Sequence, residues 1–277
     1  MKPPVLDALL TRLLPSNRKA AAAWNVYAQL ELADSPAAVR RLVTANLRFT
    51  LAYYARYFAL PSALLRERMR RTVRPNQRES LRCAMADGRG AIALAVHLGD
   101  FDLAGYWLAT ELEREVVVVS PTIRPDWREA LYRQIRLSAG FRVRRQERTT
   151  LDDLVRDLGQ GRLVLFLADR RASGRQVSIE FLGRPSTLSA APAWLSAQTG
   201  AAILTAATYT ERHERPLLFG APRWAERPTD YRWAAPAVAE LEAIIRRVPH
   251  QWHIPADISQ MPLALGRRAS KAPSTGL

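Results

Sequence analysis

From Val39 onward, apolar residues recur at helical spacing. Leu42, Val43, Leu47, Leu51, Tyr54 and Phe58 fall on one stripe, and Arg40, Arg41, Arg48 and Arg56 lie off it. The pattern predicts an amphipathic helix, and it leaves two readings open. One packs the stripe on a core; the other lays part of this region on lipid, with Trp24, Tyr53 and Tyr57 near the interface. From Gly90 the pattern changes. Short, largely apolar runs over residues 91–96, 116–120, 163–168 and 201–209 read as strands, with a short strand over 141–145 and an alternating one over 177–181. Between and after them, residues 103–112, 127–139, 150–158, 190–198 and 237–247 read as helices, with Gly159, Gly200 and Pro249 as stop signals. The alternation predicts an α/β fold: a central, mostly parallel or mixed sheet flanked by helices, with a helical N-terminal region. One domain is expected over residues 1–265, made of a helical part (1–85) and an α/β core (86–265). A basic, flexible tail follows over 266–277.

The composition suits a folded chain: 277 residues, 48% hydrophobic and 24% charged. Charge adds a constraint on partners. There are 41 basic against 26 acidic residues, a formal net charge of +15, and the only lysines are Lys2, Lys19 and Lys271. Guanidinium groups bind phosphate bidentately and stay charged when partly desolvated. A phosphate-rich partner is therefore expected: an anionic membrane, a phospholipid, coenzyme A, an acyl carrier protein or nucleic acid. The arginines are spread along the chain and no recognition motif accompanies them, which disfavours nucleic acid. Cys83 is the sole cysteine, so a disulfide within the chain is excluded. The apolar N-terminal stretch is broken by Asp7, Arg12 and Pro15 and does not read as a signal peptide. No run approaches the ~18 apolar residues that a membrane span needs, so any membrane contact is expected to be peripheral.

The stretch GAIALAVHLGDFDLAGYWL, beginning at Gly90, concentrates the candidate chemistry. An apolar strand runs into His97, a turn through Gly99 and Asp100 follows, and a helix begins near Phe101 with Asp102 in its first turn. Ligands of α/β sheets collect at the carboxyl ends of strands, where a histidine is placed for proton transfer. If the chain folds back, Asp102 accepts from one imidazole nitrogen and leaves the other free to act as base. The competing reading is a histidine satisfied at a strand end, with Asp100 or Asp102 capping the helix. Other constellations are weaker. His250 and His253 form an HxxH without further histidine or cysteine support, so no metal is expected. Ser120 lacks a G-x-S-x-G frame, and no Walker A or G-x-G-x-x-G occurs.

The segment HLGDFDLAGYWLA resembles the His-X4-Asp/Glu block of the bacterial lysophospholipid acyltransferase family, which includes lipid A late acyltransferases and phosphatidylinositol mannoside acyltransferases. Asp100-Phe101 stands where those proteins usually have Asn-Trp. A second block, LFLADRRASGRQVSIEFLGRPST from Leu165, is similar to the family's strand, Asp-Arg, Gly, aromatic-Gly turn and Thr; here these are Asp169-Arg170, Gly174, Phe181-Leu182-Gly183 and Thr187. Ala191-Pro192-Ala193 and Pro249-His250-Gln251-Trp252 extend the match in order. The resemblance implies a glycerolipid-acyltransferase-like fold and a fatty acyl transfer from a thioester, acyl-CoA or acyl carrier protein, to a hydroxyl of a glycolipid or lysophospholipid. It implies His97 as general base assisted by Asp102. Gly99, Asp100, Arg136, Asp169, Arg170, Gly183 and Thr187 become candidate substrate or donor contacts, and at least one of Arg170, Arg171, Arg175 and Arg184 a phosphate or headgroup contact. For Arg136 a solvated helix arginine, and for Asp169 a structural ion pair, fit the sequence equally well. No cofactor is implied beyond the acyl co-substrate, and the location implied is peripheral, on the cytoplasmic side of the plasma membrane. Transfer to a soluble metabolite and a non-catalytic lipid- or nucleic-acid-binding protein remain alternatives.

Overall fold

The computed structural model describes residues 18–58, 73–76, 78–111, 115–120, 130, 133, 136, 137, 140–212, 214–255 and 258–263. The N-terminal segment before Arg18, most of the helix expected over 127–139 and the basic tail lie outside the described residues. In chain order the elements are α1 (Arg18–Gln29), α2 (Pro36–Phe58), β1 (Val73–Asn76), α3 (Arg78–Ala84), β2 (Ala91–Ala95), α4 (Phe101–Glu111), β3 (Val116–Ser120) and β4 (Phe141–Arg145). They continue as α5 (Leu151–Gly159), β5 (Leu163–Leu167), β6 (Gln176–Phe181), β7 (Arg184–Ser189), α6 (Ala191–Thr199), β8 (Ile203–Thr208), β9 (Arg215–Phe219) and α7 (Ala234–Arg247).

Every residue of β2 is buried, which is what a continuous apolar run without polar alternation requires of a central strand. The seven-stranded sheet has the order β1-β9-β8-β2-β5-β3-β4. Its pairs are parallel except β8 against β9. The observed architecture is thus the expected α/β class, a mostly parallel mixed sheet between helices. Alternation along the strands feeds two cores. Ile92, Leu94, Val117, Val164 and Ile203 face one, against α1, α5, α6 and α7. Ala91, Ala93, Val116, Val118, Leu204 and Ala206 face the other, against α3 and α4.

Several elements escaped the sequence pattern. The strand expected over 177–181 is present, but it forms a separate hairpin with β7. The turn between them, Leu182-Gly183, has both residues at positive φ, as a two-residue hairpin turn demands. β7 reads RPSTLS, whose proline and hydroxyl residues mimic a loop. The long helix α2 departs from the predicted stripe in an informative way. Leu51 is 54% exposed, whereas Asn46, Thr50 and Tyr53 are buried. Its polar residues turn inward because they dock on the segment around Trp252: Asn46 Nδ2 donates to the carbonyls of His250 and Trp252 at 2.9 and 2.7 Å. The lipid-facing reading of Tyr53 is therefore overturned.

The parallel register builds the centre of the molecule. Ala95 pairs with Leu167 of β5 on one side and with Ala206 of β8 on the other. Two residues further along each chain, His97 stands between Asp169 and Thr208. The turn that follows is pinned by residues 251–253: Gly99 N–H donates to the Gln251 carbonyl at 3.1 Å, and His253 N–H to the His97 carbonyl at 2.8 Å. Gly99 has φ +62°, and a Cβ there would lie 2.5 Å from the Thr208 carbonyl oxygen and 2.7 Å from the Tyr209 Cα. Gly99→Ala combines left-handed strain with a backbone clash and is expected to cost about 3 kcal/mol. Urea unfolding of the two proteins checks this; a loss below about 1 kcal/mol would mean that the turn relaxes.

Candidate active site

His97 follows β2 directly, at the carboxyl end of the sheet. Its Nδ1 lies 2.9 Å from Asp169 Oδ1. An ionised carboxylate can only accept, so Nδ1 carries the proton and Nε2 the lone pair. The side chain keeps 16% of its surface accessible, and among the described residues its ring hydrogen bond is made at Nδ1, not at Nε2. Asp169 is wholly buried, and its other oxygen accepts from three donors. These are His97 N–H at 3.2 Å, Arg170 Nη1 at 2.9 Å and Trp252 Nε1 at 2.8 Å. Burial alone would raise the Asp169 carboxyl; Arg170, His97 and Trp252 outweigh it and hold the group well below the usual carboxylate range. Burial is also the main influence on His97, lowering it with help from Arg170, against the pull of Asp169 and Asp102. The imidazole is thus neutral at pH 7, the form a general base needs.

Asp102 does not accept from the imidazole, which corrects the hydrogen bond expected from its spacing. As the second residue of α4 it points to Tyr53, whose hydroxyl donates to Oδ2, and to Arg136, whose Nε is 3.6 Å from Oδ1. Its charge still reaches His97 and favours the protonated ring. Asp100 is likewise committed: it is fully buried and clamped by Arg56 Nη2 at 2.7 Å and by Arg215 Nε. Arg136 is mostly buried, beside Asp102 and 3.5 Å from Ser120 Oγ. Arg170 Nη2 also donates to the His253 carbonyl. Gly183 and Thr187 belong to the β6–β7 hairpin and make no hydrogen bond or ring contact with His97 or Asp169. The hairpin touches the site through Phe181, edge-on to Trp252 at 6.3 Å. Arg184 donates to the Gln29 carbonyl at 2.6 Å, while Arg171 and Arg175 are exposed.

Two residues with clear roles carried no signal in the sequence pattern. Tyr53 stacks on Phe101 at 5.4 Å and meets the His253 ring at 4.4 Å. His253 is buried and its Nε2–H donates to the Gly99 carbonyl at 2.9 Å. The HxxH therefore serves the turn. Among the described residues no group of histidine, cysteine and acidic side chains could hold a metal ion.

Beside the site, an apolar pocket opens between the sheet and α4; its space, open mouth included, is about 610 Å³. Ala95, Ala104, Gly105 and Ala206 leave this space because their side chains are small, and Leu108, Val116, Leu165 and Phe141 complete an apolar wall. Asp102, Arg136 and Thr208 supply polar groups along it. Val116, Phe141 and Leu163 share one register level, and Asp169 lies six residues beyond Leu163. Thr208 lies at the level of Asp169, so the lining residues Val116 and Phe141 at one end and Thr208 at the other are roughly 20 Å apart along the sheet, at about 3.3 Å per residue. Among the described residues no helix is long and apolar enough to cross a membrane.

A family model for bacterial lipid A biosynthesis acyltransferases matches residues 13–254. A phosphatidylinositol mannoside acyltransferase of Mycobacterium tuberculosis is 32% identical over 177 residues, 61% of this chain and 55% of the relative. Its namesake from Mycolicibacterium smegmatis is 32% identical over 167 residues, 57% of this chain and 53% of the relative. The chain spans about half the length of these curated relatives.

His253 yields a test of the pinned turn. Burial, reinforced by the nearby cations Lys19 and Arg170 and by His97 whenever that ring is protonated, pushes its pKa down from 6.5 to about 3 against the opposing Gly99 carbonyl. The unfolded chain thus binds this proton first. The contribution is complete above pH 6.5 and erodes at roughly 1.4 kcal/mol per pH unit as the solution is acidified toward the folded value. His253→Gln keeps an N–H donor and removes that titration. Urea unfolding at pH 6.5, 5.5 and 4.5 is expected to show a shallower loss for the variant; equal slopes would mean that His253 is protonated in the folded protein.

Proposed function

We propose that this chain, which belongs to the bacterial lipid A biosynthesis acyltransferase family, transfers a fatty acyl group from a thioester donor to a hydroxyl of a glycolipid. The observation that carries the reading is His97, with Nδ1 held by buried Asp169 and the lone pair of Nε2 available, next to a deep apolar cavity at the carboxyl end of the sheet. The similarity to phosphatidylinositol mannoside acyltransferases supports a glycolipid acceptor.

In this mechanism the acyl chain lies in the cavity with its thioester carbonyl near His97. Nε2 takes the proton of the acceptor hydroxyl as its oxygen attacks the carbonyl carbon. Asp169 fixes the tautomer and stabilises the imidazolium, as a buried carboxylate on Nδ1 does in other histidine bases. The tetrahedral intermediate collapses with loss of thiolate, which recovers the proton from the imidazolium. Asp102 adds negative charge near the ring and holds Tyr53 and Arg136. The donor is acyl-CoA or acyl carrier protein. The excess of arginine suits phosphates of donor and acceptor and an anionic membrane surface on which the chain works peripherally, at the cytoplasmic face of the plasma membrane.

Thiol release from palmitoyl-CoA, and in parallel from palmitoyl-acyl carrier protein, tests the reading with a bacterial glycolipid fraction as acceptor. His97→Ala is expected to lose roughly 10²–10⁴-fold in kcat. Asp169→Asn should fall well below wild type while still binding donor. The acid limb of kcat/KM in wild type is expected below pH 6.5, because the folded environment lowers His97. Release independent of His97 with both donors would overturn the general-base assignment. Turnover with only a soluble acceptor would keep the chemistry and discard the lipid.

The far end of the cavity supports a second test. Phe141 closes it, and its ring lies so near α4 that a Cβ at Gly105 would stand 2.1 Å from Cζ. Phe141→Ala is expected to shift the donor preference toward longer acyl chains in a competition among C12, C14, C16 and C18 thioesters. An unchanged preference would place the acyl chain elsewhere.

A further inference from the structure

The cavity wall contains one polar group that the mechanism above leaves unused. Thr208 is 3% exposed, and its Oγ1 is buried without a hydrogen-bond partner. It lines the cavity together with Ala206 and Ala207. Buried side-chain hydroxyls are nearly always paired, because an unpaired one has lost its water for nothing. Valine has the same shape, suits a strand equally well, and fits a cavity wall that is otherwise apolar here. The hydroxyl therefore points to a ligand atom as its partner.

Its position narrows what that atom is. β8 lies beside β2 in parallel register, with Ala206 opposite Ala95, so Thr208 comes level with His97 on the side opposite Asp169. Contact with the turn is direct, since the Thr208 carbonyl oxygen sits where a Cβ at Gly99 would collide. One neighbour strand thus delivers the carboxylate that orients the base, and the other a hydroxyl along the same cavity wall. The polar group of a bound acyl donor that belongs at this level is the thioester carbonyl.

We propose that Thr208 is a further catalytic residue, its Oγ1–H donating to the thioester carbonyl oxygen and to the oxyanion into which it is converted. The inference rests on the acyl-transfer reading of the site. As the acceptor oxygen bonds to the carbonyl carbon, its proton passes to His97 Nε2 and the C=O π pair moves onto oxygen, where Thr208 donates. When the C–S bond breaks, that pair returns to the carbonyl, and the thiolate takes the proton from the imidazolium. A fixed donor aimed at the developing charge stabilises the transition state more than the ground state, so it acts on kcat more than on KM.

The experiment compares wild type, His97→Ala, Thr208→Val and Thr208→Ser for thiol release from palmitoyl-CoA and palmitoyl-acyl carrier protein with the glycolipid fraction, alongside thermal unfolding. Thr208→Val is expected to lose on the order of 10²-fold in kcat with KM nearly unchanged. Its unfolding midpoint should match or exceed wild type, since a hydroxyl without a protein partner is removed. Thr208→Ser restores most of kcat. The proposal is overturned if Thr208→Val turns over like wild type, if its defect lies in KM alone, or if its midpoint drops, which would reveal a structural partner for the hydroxyl. Failure of the underlying reading looks different: wild type itself then shows no His97-dependent release with either donor, and the donor role of Thr208 falls with it.

Discussion

An ionised carboxylate with no exposed surface survives only when donors occupy its lone pairs, and Asp169 is such a group. Meeting that requirement draws together parts of the chain that are otherwise far apart. The His97 ring and backbone come from the end of β2, the guanidinium from Arg170, and the indole from Trp252, more than eighty residues later. The indole can reach only because residues 251–253 lie across the Gly99 turn, and that strap is itself tied to Asn46 on α2. The inward-facing polar residues of α2, the positive φ of Gly99 and the buried neutral His253 all follow from docking this strap over the strand ends.

The sheet face toward α4 is built on a different principle. There small side chains, Ala95, Ala104, Gly105 and Ala206, leave a long apolar space where larger residues would have filled a core. A protein interior close-packs where sequence allows it, and this pocket is a departure from that packing beside the strand end that carries His97. The two faces of one sheet divide the work. One carries the packed core with α1, α5, α6 and α7, and the other holds the space in which the acyl-transfer reading places the substrate.

Much of this was legible in the sequence. The apolar runs marked β2, β3, β5 and β8 almost to their ends, because a strand packed on both faces has no polar alternation to confuse it, while β4, FRVRR, alternates. The place of His97, at a strand end before a glycine turn and a helix, could be read from the sequence. Its partner could not. Local spacing pointed to Asp102, whereas the register between non-consecutive strands supplies Asp169, and register is a property of pairing that one strand's sequence does not contain. Tyr53 was hidden for another reason: it lies off the helical stripe that runs through Leu51, and one of the two open readings sets it near lipid, whereas it is buried and Leu51 is exposed. Nor did the sequence single out Thr208, whose hydroxyl reads as an ordinary strand residue until the cavity beside it is seen.

The late strap also bears on how the molecule is made. Ribosomes release a chain from its N-terminus at about 5–20 residues per second, so β2, β5 and β8 emerge before residues 251–253 exist outside the exit tunnel. Until then Asp169 lacks its indole donor, and the turn after His97 has nothing to hold it. The sheet can form during synthesis, but its charged centre stays hydrated and open at that stage. Dehydration of the site therefore waits until α7 and the strap behind it have been made and close over the strand ends.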